Sequence, residues 1–173
     1  MPDLTLVLDK ETIARKVAEV ARQISADYKE ADLVLIGVLK GAFVFMADLM
    51  RRLEVEQVAV DFVRLASYGF NCESSERIRL LKDFEIDIQN RDVLIVEDIL
   101  DTGLTVAYLK QHLQKFNPRS VKVCALIDKY ERRQVELQAD YVGQKVTAGF
   151  LVGYGLDYAE AYRNLPEIFN LNL

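Results

Sequence analysis

Residues 93–105, VLIVEDILDTGLT, decide the fold. An apolar run, 93–96, ends in two adjacent acids, Glu97 and Asp98. A third acid, Asp101, follows, and then a small loop with hydroxyls and a glycine, Thr102-Gly103-Leu104-Thr105. An amphipathic helical pattern starts at once, with Val106, Leu109, Leu113 and Phe116 on one stripe that stops at Asn117-Pro118. This is the order of a buried strand, a phosphate-sized loop and a helix N-terminus. Unpaired backbone N–H groups and about half a positive charge at such a terminus favour an anion. Thr102 and Thr105 add hydroxyl donors, and Gly103 lets the backbone approach closely.

Carboxylates beside an anion cradle are costly unless something sits between them and the anion. Two like charges ~4 Å apart repel by roughly 4 kcal/mol at an effective dielectric of ~20. A divalent cation removes the conflict, because Mg²⁺ takes carboxylate and phosphate oxygens together. A sugar diol also removes it, because an ionised carboxylate only accepts hydrogen bonds and a diol offers two donors. A phosphorylated ribose with Mg²⁺ meets both conditions. The loop is not a Walker A motif, since no G-x-x-x-x-G-K-[ST] occurs in the chain.

Outward from this stretch, strand and helix patterns alternate. Asp9 is placed to cap a helix over roughly 10–28, with Ile13, Val17, Val20 and Ile24 on one face. Residues 33–39 form a continuous apolar run, as in a strand covered on both sides. Lys40-Gly41 breaks it, and AFVFMADLMRRL, 42–53, reads as the next helix. Residues 57–65 alternate as a strand, a polar loop spans 67–75, and 77–81 read as a returning strand. Another buried strand is expected at 121–127, and shorter ones near 140–143 and 147–152. There is no repeat or linker, so 1–173 is expected to be one domain. The alternation predicts an α/β fold: a mostly parallel twisted sheet with helices on both faces. Ligands of such sheets sit beyond the C-terminal strand ends, where Lys40, Glu97 and Asp98 fall.

Composition sets bounds. A chain of 173 residues buries about 70% of its unfolded surface and needs no staple. The 22 basic and 27 acidic residues give −5 with no basic block, which argues against nucleic acid as the main partner. No apolar run approaches ~20 residues, so no membrane span is expected. The opening stretch lacks the basic and long apolar regions of a secretory signal. Cys72 and Cys124 share no motif spacing and are expected to be free thiols in a cytoplasmic protein. The only histidine, His112, lies within a helix away from its ligand-facing end and is expected at the surface.

VLIVEDILDTGLT resembles the phosphoribosyl pyrophosphate (PRPP) binding signature of the type I phosphoribosyltransferases. The chain is similar to their hypoxanthine (6-oxopurine) branch along nearly its whole length. The supporting segments are Leu39-Lys40-Gly41, Ser67-Tyr68-Gly69, Asp128-Lys129, FLVGYGLD at 150–157, and Arg163. The resemblance implies a purine salvage enzyme. It would transfer 5-phosphoribosyl from PRPP to hypoxanthine or guanine, giving IMP or GMP and pyrophosphate, with xanthine not excluded. It implies that Glu97 and Asp98 hold the ribose hydroxyls directly or through Mg²⁺, and that Thr102, Gly103, Leu104 and Thr105 grip the 5′-phosphate. Leu104 departs from members with a basic residue there, which puts more weight on backbone amides. Asp101 is implied as general acid/base, a role that no histidine can fill here. Lys40, Gly41 and Arg163 are implied to bind pyrophosphate, with a non-proline cis peptide at Leu39-Lys40. Lys129, Phe150, Leu151 and Asp157 are implied to line the purine site, and Asp157 to reach the metal as well. Lys129 is donor-only, so it suits a 6-oxo acceptor and opposes a 6-amino donor. Ser67 and Tyr68 are implied to belong to a loop that closes over the reacting centre. The family also implies a small hood subdomain over the site and a homodimer or homotetramer. The rival class, regulators of this fold that bind nucleotides and nucleic acid, is disfavoured by the acidic balance and by the pairing of Asp101 with Lys129.

Overall fold

The computed structural model describes residues 3–68 and 77–172. Strand β1 (Asp3–Leu8) leads to helix α1 (Lys10–Tyr28), which starts where Asp9 Oδ1 accepts the Thr12 N–H at 2.7 Å. The stripe Ile13, Val17, Val20 and Ile24 is buried, as its spacing predicts. Then come β2 (Asp32–Leu39), α2 (Phe43–Met50), β3 (Gln57–Tyr68), β4 (Arg77–Lys82) and β5 (Asp92–Leu100). After them come α3 (Leu104–Gln114), β6 (Ser120–Lys129), β7 (Tyr141–Val146), β8 (Leu151–Val152) and β9 (Ile168–Asn172).

Six strands form one sheet in the order β4-β3-β2-β5-β6-β7. Neighbours from β3 to β7 are parallel, and β4 turns back antiparallel on β3. Alternating side chains feed two cores. Leu33, Leu35, Leu94 and Val96 face α1 and α2, whereas Val34, Ile36, Val93 and Ile95 face α3. Helices therefore cover both faces, which is why β2 and β5 read as continuous apolar runs. A second, three-stranded sheet, β1-β9-β8, forms the hood.

Several expectations shift. Helix α2 ends at Met50 instead of running on to residue 53, because the chain tightens there: Arg52 N–H bonds Leu49 O and Leu53 N–H bonds Met50 O. Strand β5 does not end at Val96. Its pairing continues to Leu100 opposite Asp128, so both acids are strand residues. Ser67 and Tyr68 lie in β3, opposite Ile78 and Arg77, and not in a loop. The rest of the expected closing loop, 69–76, and with it Cys72, lies outside the described residues. Phe116 lies past the end of α3 and is 43% exposed. His112 is not a free surface residue: its Nε2 is 3.0 Å from both oxygens of Asp83, and its ring meets Phe84 and Phe116 edge-on. Cys124 is a buried free thiol. Among the described residues no helix is long and apolar enough to cross a membrane.

Candidate active site

The C-terminal ends of β2, β5 and β6 converge. At the end of β5, Glu97 and Asp98 are buried. The Asp98 N–H donates to Glu97 Oε1 at 3.1 Å, and the Ile99 N–H donates to Asp98 Oδ1 at 2.7 Å. Burial pushes Glu97 well above the usual carboxylate range, and the adjacent Asp98 pushes it further. Burial also raises Asp98, against the opposing pull of its hydrogen bonds and of the Arg163 charge. Two buried acids side by side favour a cation or hydroxyl donors next to them. The turn after β2 closes against them. Leu39-Lys40 is a cis peptide, and Gly41 lies so close that a Cβ there would overlap the Asp98 carboxylate.

Residues 101–105 carry the chain from β5 into α3. Glu97, Asp98, Asp101, Thr102, Gly103 and Thr105 line a cavity of about 230 Å³. Gly103 has φ +83° and a Cβ there would strike Val135, so both conformation and space require glycine. The Leu104 N–H donates to Thr102 Oγ1 at 3.3 Å, and Leu104 opens α3. The backbone here is that of a helix N-terminus aimed at the cavity. A larger cavity, about 500 Å³, lies against α1 and α2 and is lined mainly by apolar side chains such as Ile13, Val17, Phe43 and Leu165. The acid cluster is not part of it.

The β5–β6 register sets Leu100 opposite Asp128, which brings Asp101 beside Lys129. Lys129 Nζ lies 3.3 Å from Asp101 Oδ2 and donates to Gly149 O at 3.1 Å. Arg132 approaches the same Asp101 oxygen at 3.7 Å, while the other, Oδ1, is buried without a hydrogen-bond partner. Beyond Gly149, Phe150 is 42% exposed and meets Tyr158 edge-on at 5.5 Å, whereas Leu151 is buried in β8. Lys129 thus links the carboxylate of the loop to the aromatic edge of the hood.

The remaining cations are engaged by acids. Lys40 Nζ meets Glu160 Oε2 at 2.9 Å. Arg163 meets Asp157 Oδ1 at 2.9 Å and donates to Gly155 O at 2.7 Å. Asp157 Oδ2 accepts the Glu160 N–H at 2.9 Å. The hydrogen bond from Lys40 holds the Glu160 carboxyl below its ordinary value. Asp157 therefore faces Arg163 and does not join Glu97 and Asp98. Among the described residues no three His, Cys, Asp or Glu side chains are grouped to hold a metal ion. Sequence reasoning missed Glu160, whose only signal was its position three residues before Arg163. It also missed Arg133, which nothing in the local pattern distinguishes from a surface arginine.

A mostly parallel sheet covered by helices on both faces, with acids, a glycine turn and paired cations at its C-terminal edge, defines an α/β fold with its ligand site at the strand ends. The phosphoribosyl transferase domain matches residues 4–159. A hypoxanthine-guanine phosphoribosyltransferase of Aquifex aeolicus is 46% identical over 167 residues, 96% of this chain and 93% of that protein. The hypoxanthine phosphoribosyltransferase of Escherichia coli is 41% identical over 165 residues, covering 94% and 92%. A crystal structure of a Bacillus anthracis hypoxanthine-guanine phosphoribosyltransferase aligns with a TM-score of 0.93 at 43% identity, over 98% of this chain and 100% of that one. The chain belongs to the hypoxanthine-guanine phosphoribosyltransferase family of transferases.

Proposed function

We propose that this protein is a Mg²⁺-dependent purine salvage enzyme that converts hypoxanthine or guanine and PRPP into IMP or GMP and pyrophosphate. The observation that carries the reading is the buried Glu97–Asp98 pair set beside the loop 101–105, with Asp101 ion-paired to Lys129. Glu97 and Asp98 would accept hydrogen bonds from the ribose hydroxyls, and Thr102, Gly103, Leu104 and Thr105 would enclose the 5′-phosphate. Lys40, the Gly41 backbone and Arg163 would take pyrophosphate, exchanging Glu160 and Asp157 for a stronger anion. Lys129 would donate to the purine 6-oxo group, with Phe150 on the base face and Leu151 and Asp157 at the base edge.

Glu97 and Asp98 fit a hard divalent ion that takes its other oxygens from the ligand. They offer carboxylate oxygens only, and burial raises the affinity of Glu97 and Asp98 for positive charge. Glu97 and Asp98 would hold Mg²⁺, which when bound would neutralise pyrophosphate charge near the sugar, and Asp157 would join them only on leaving Arg163. As the bond from the ribose carbon to pyrophosphate breaks and the bond to a purine nitrogen forms, positive charge develops on the sugar. The fixed carboxylates stabilise it electrostatically. The proton leaving the purine would pass to the Asp101 carboxylate, which Lys129 and Arg132 hold through Oδ2. Ser67, Tyr68 and the segment after them would exclude water. We further propose a homodimer or homotetramer, measurable by light scattering.

The test is pyrophosphate release from PRPP with hypoxanthine, guanine, xanthine and adenine, with and without Mg²⁺. The expected result is Mg²⁺-dependent turnover with the oxopurines and none with adenine. No turnover with any base, together with salt-dependent RNA binding, would assign the chain to the rival regulatory class.

A further inference from the structure

We propose that Arg133 is a positioning residue that fixes the proton-handling Asp101 relative to the base-binding Lys129; this rests on the roles given to those two residues above. Arg133 is in the loop after β6, yet its side chain is only 14% exposed. Its Nε donates to Asp101 O at 2.9 Å, and its Nη2 lies 3.2 Å from both Leu100 O and Lys129 O. Its Nη1 donates to Leu137 O at 2.7 Å. One guanidinium therefore ties together the end of β5, the end of β6 and its own loop.

The fork is itself held in place. Asp128, 1% exposed, pairs with Arg133 through Oδ1 and accepts the Tyr130 hydroxyl through Oδ2 at 2.6 Å. The Tyr130 ring lies 5.0 Å from the guanidinium centre. Gln134 N–H donates to Thr102 O at 2.9 Å, so the same loop also grips the phosphate turn. The turn needs this outside support. Its N-cap residue, Gly103, supplies no side-chain cap, and only one Asp101 oxygen is held, by Lys129 and Arg132. Arg133 contacts the Asp101 carbonyl and not its carboxylate, so it acts by orientation. Only a planar, multi-donor cation reaches these acceptors at once, and lysine cannot reproduce it.

The experiment is a kinetic cycle of Arg133→Lys, Asp101→Asn and the double variant, each checked for folding by circular dichroism. Arg133→Lys keeps a charge for Asp128 and loses the fork. Its kcat should fall about 10- to 100-fold, the effect of a displacement near 1 Å, while KM for PRPP and for the purine shifts less than about threefold. The double variant should be no slower than Asp101→Asn alone, because Arg133 works through Asp101. A folded Arg133→Lys with the parent kcat, or a double variant slowed by the product of the single effects, would overturn the inference. If Arg133→Lys does not fold, Asp128→Asn loosens the same fork and enters the same cycle with the same two outcomes. A parent protein without transferase activity would instead refute the functional reading.

Discussion

At the scale of single residues, the site is set by what each side chain lacks. Asp101 has one oxygen paired with Lys129 and Arg132 and one buried without a partner. Asp101→Asn removes the proposed base and keeps the shape, so kcat should fall by about 10²–10⁴ with little change in PRPP affinity, measured by steady-state kinetics and calorimetry. Lys129 is buried and offers only donors. Lys129→Gln should lower kcat/KM for hypoxanthine by about 10- to 100-fold, the loss expected for a hydrogen bond to a charged donor, and should admit adenine, whose 6-amino group the glutamine carbonyl can accept. Competition between the two bases reads this out. Glu97 titrates above its ordinary value, mainly through burial. Such an acid adds no penalty below its unfolded pKa and a growing one as the pH rises past that value toward the folded one. Glu97→Gln should therefore melt roughly 2–4 °C above the parent at about pH 8, if the relief is about 1 kcal/mol. The gain should vanish near pH 4, as thermal melts at the two pH values would show. Most of these residues stood out in the sequence because each follows an apolar strand. Arg133 and Glu160 did not, because their meaning lies in acceptors and cations that only folding brings near.

At the scale of elements, the site is a set of strand ends held in register. The turn after β2 packs directly on the acids of β5, with no room for a methyl group between Gly41 and Asp98. Gly41→Ala should push the Asp98 carboxylate aside and raise KM for PRPP at least about tenfold, since small displacements of a positioned group cost 10²-fold in favourable cases. A PRPP titration would check it. Helix α1 and strands β2 and β6 follow their patterns closely, because a parallel strand buried on both faces must be apolar throughout and a covering helix must be apolar on one stripe. Phe116 continued the stripe of α3 in sequence, yet the helix stops at Gln114 and the ring packs on Phe84 instead. His112 carried no local sign of Asp83, which arrives from 29 residues away.

At the scale of the whole molecule, the two ends of the chain meet. Strand β1 pairs with β9 from Asp3↔Asn172 to Leu8↔Ile168, and β9 pairs with β8, where Leu151 lies opposite Asn170. Asn170 Oδ1 accepts the Phe150 N–H at 2.9 Å. The first strand thus backs the wall of the proposed base site. Removing residues 1–8, which leaves the Asp9 cap in place, should raise KM for the purine roughly tenfold, about 1.4 kcal/mol of binding, and move KM for PRPP less. Steady-state kinetics on the shortened chain would test it. Neither β1 nor β9 was legible beforehand, because short strands at the chain ends have little period to read and the two that pair lie 160 to 169 residues apart. What the sequence determined alone is the parallel core and the acid–loop–helix segment, since both rest on local periodicity and on backbone groups that neighbours in the chain supply. The tertiary structure alone decided the hood pairing, the alignment of Asp101 with Lys129 and the clamp around Arg133, because contacts between distant segments depend on register and burial, which no local stretch encodes.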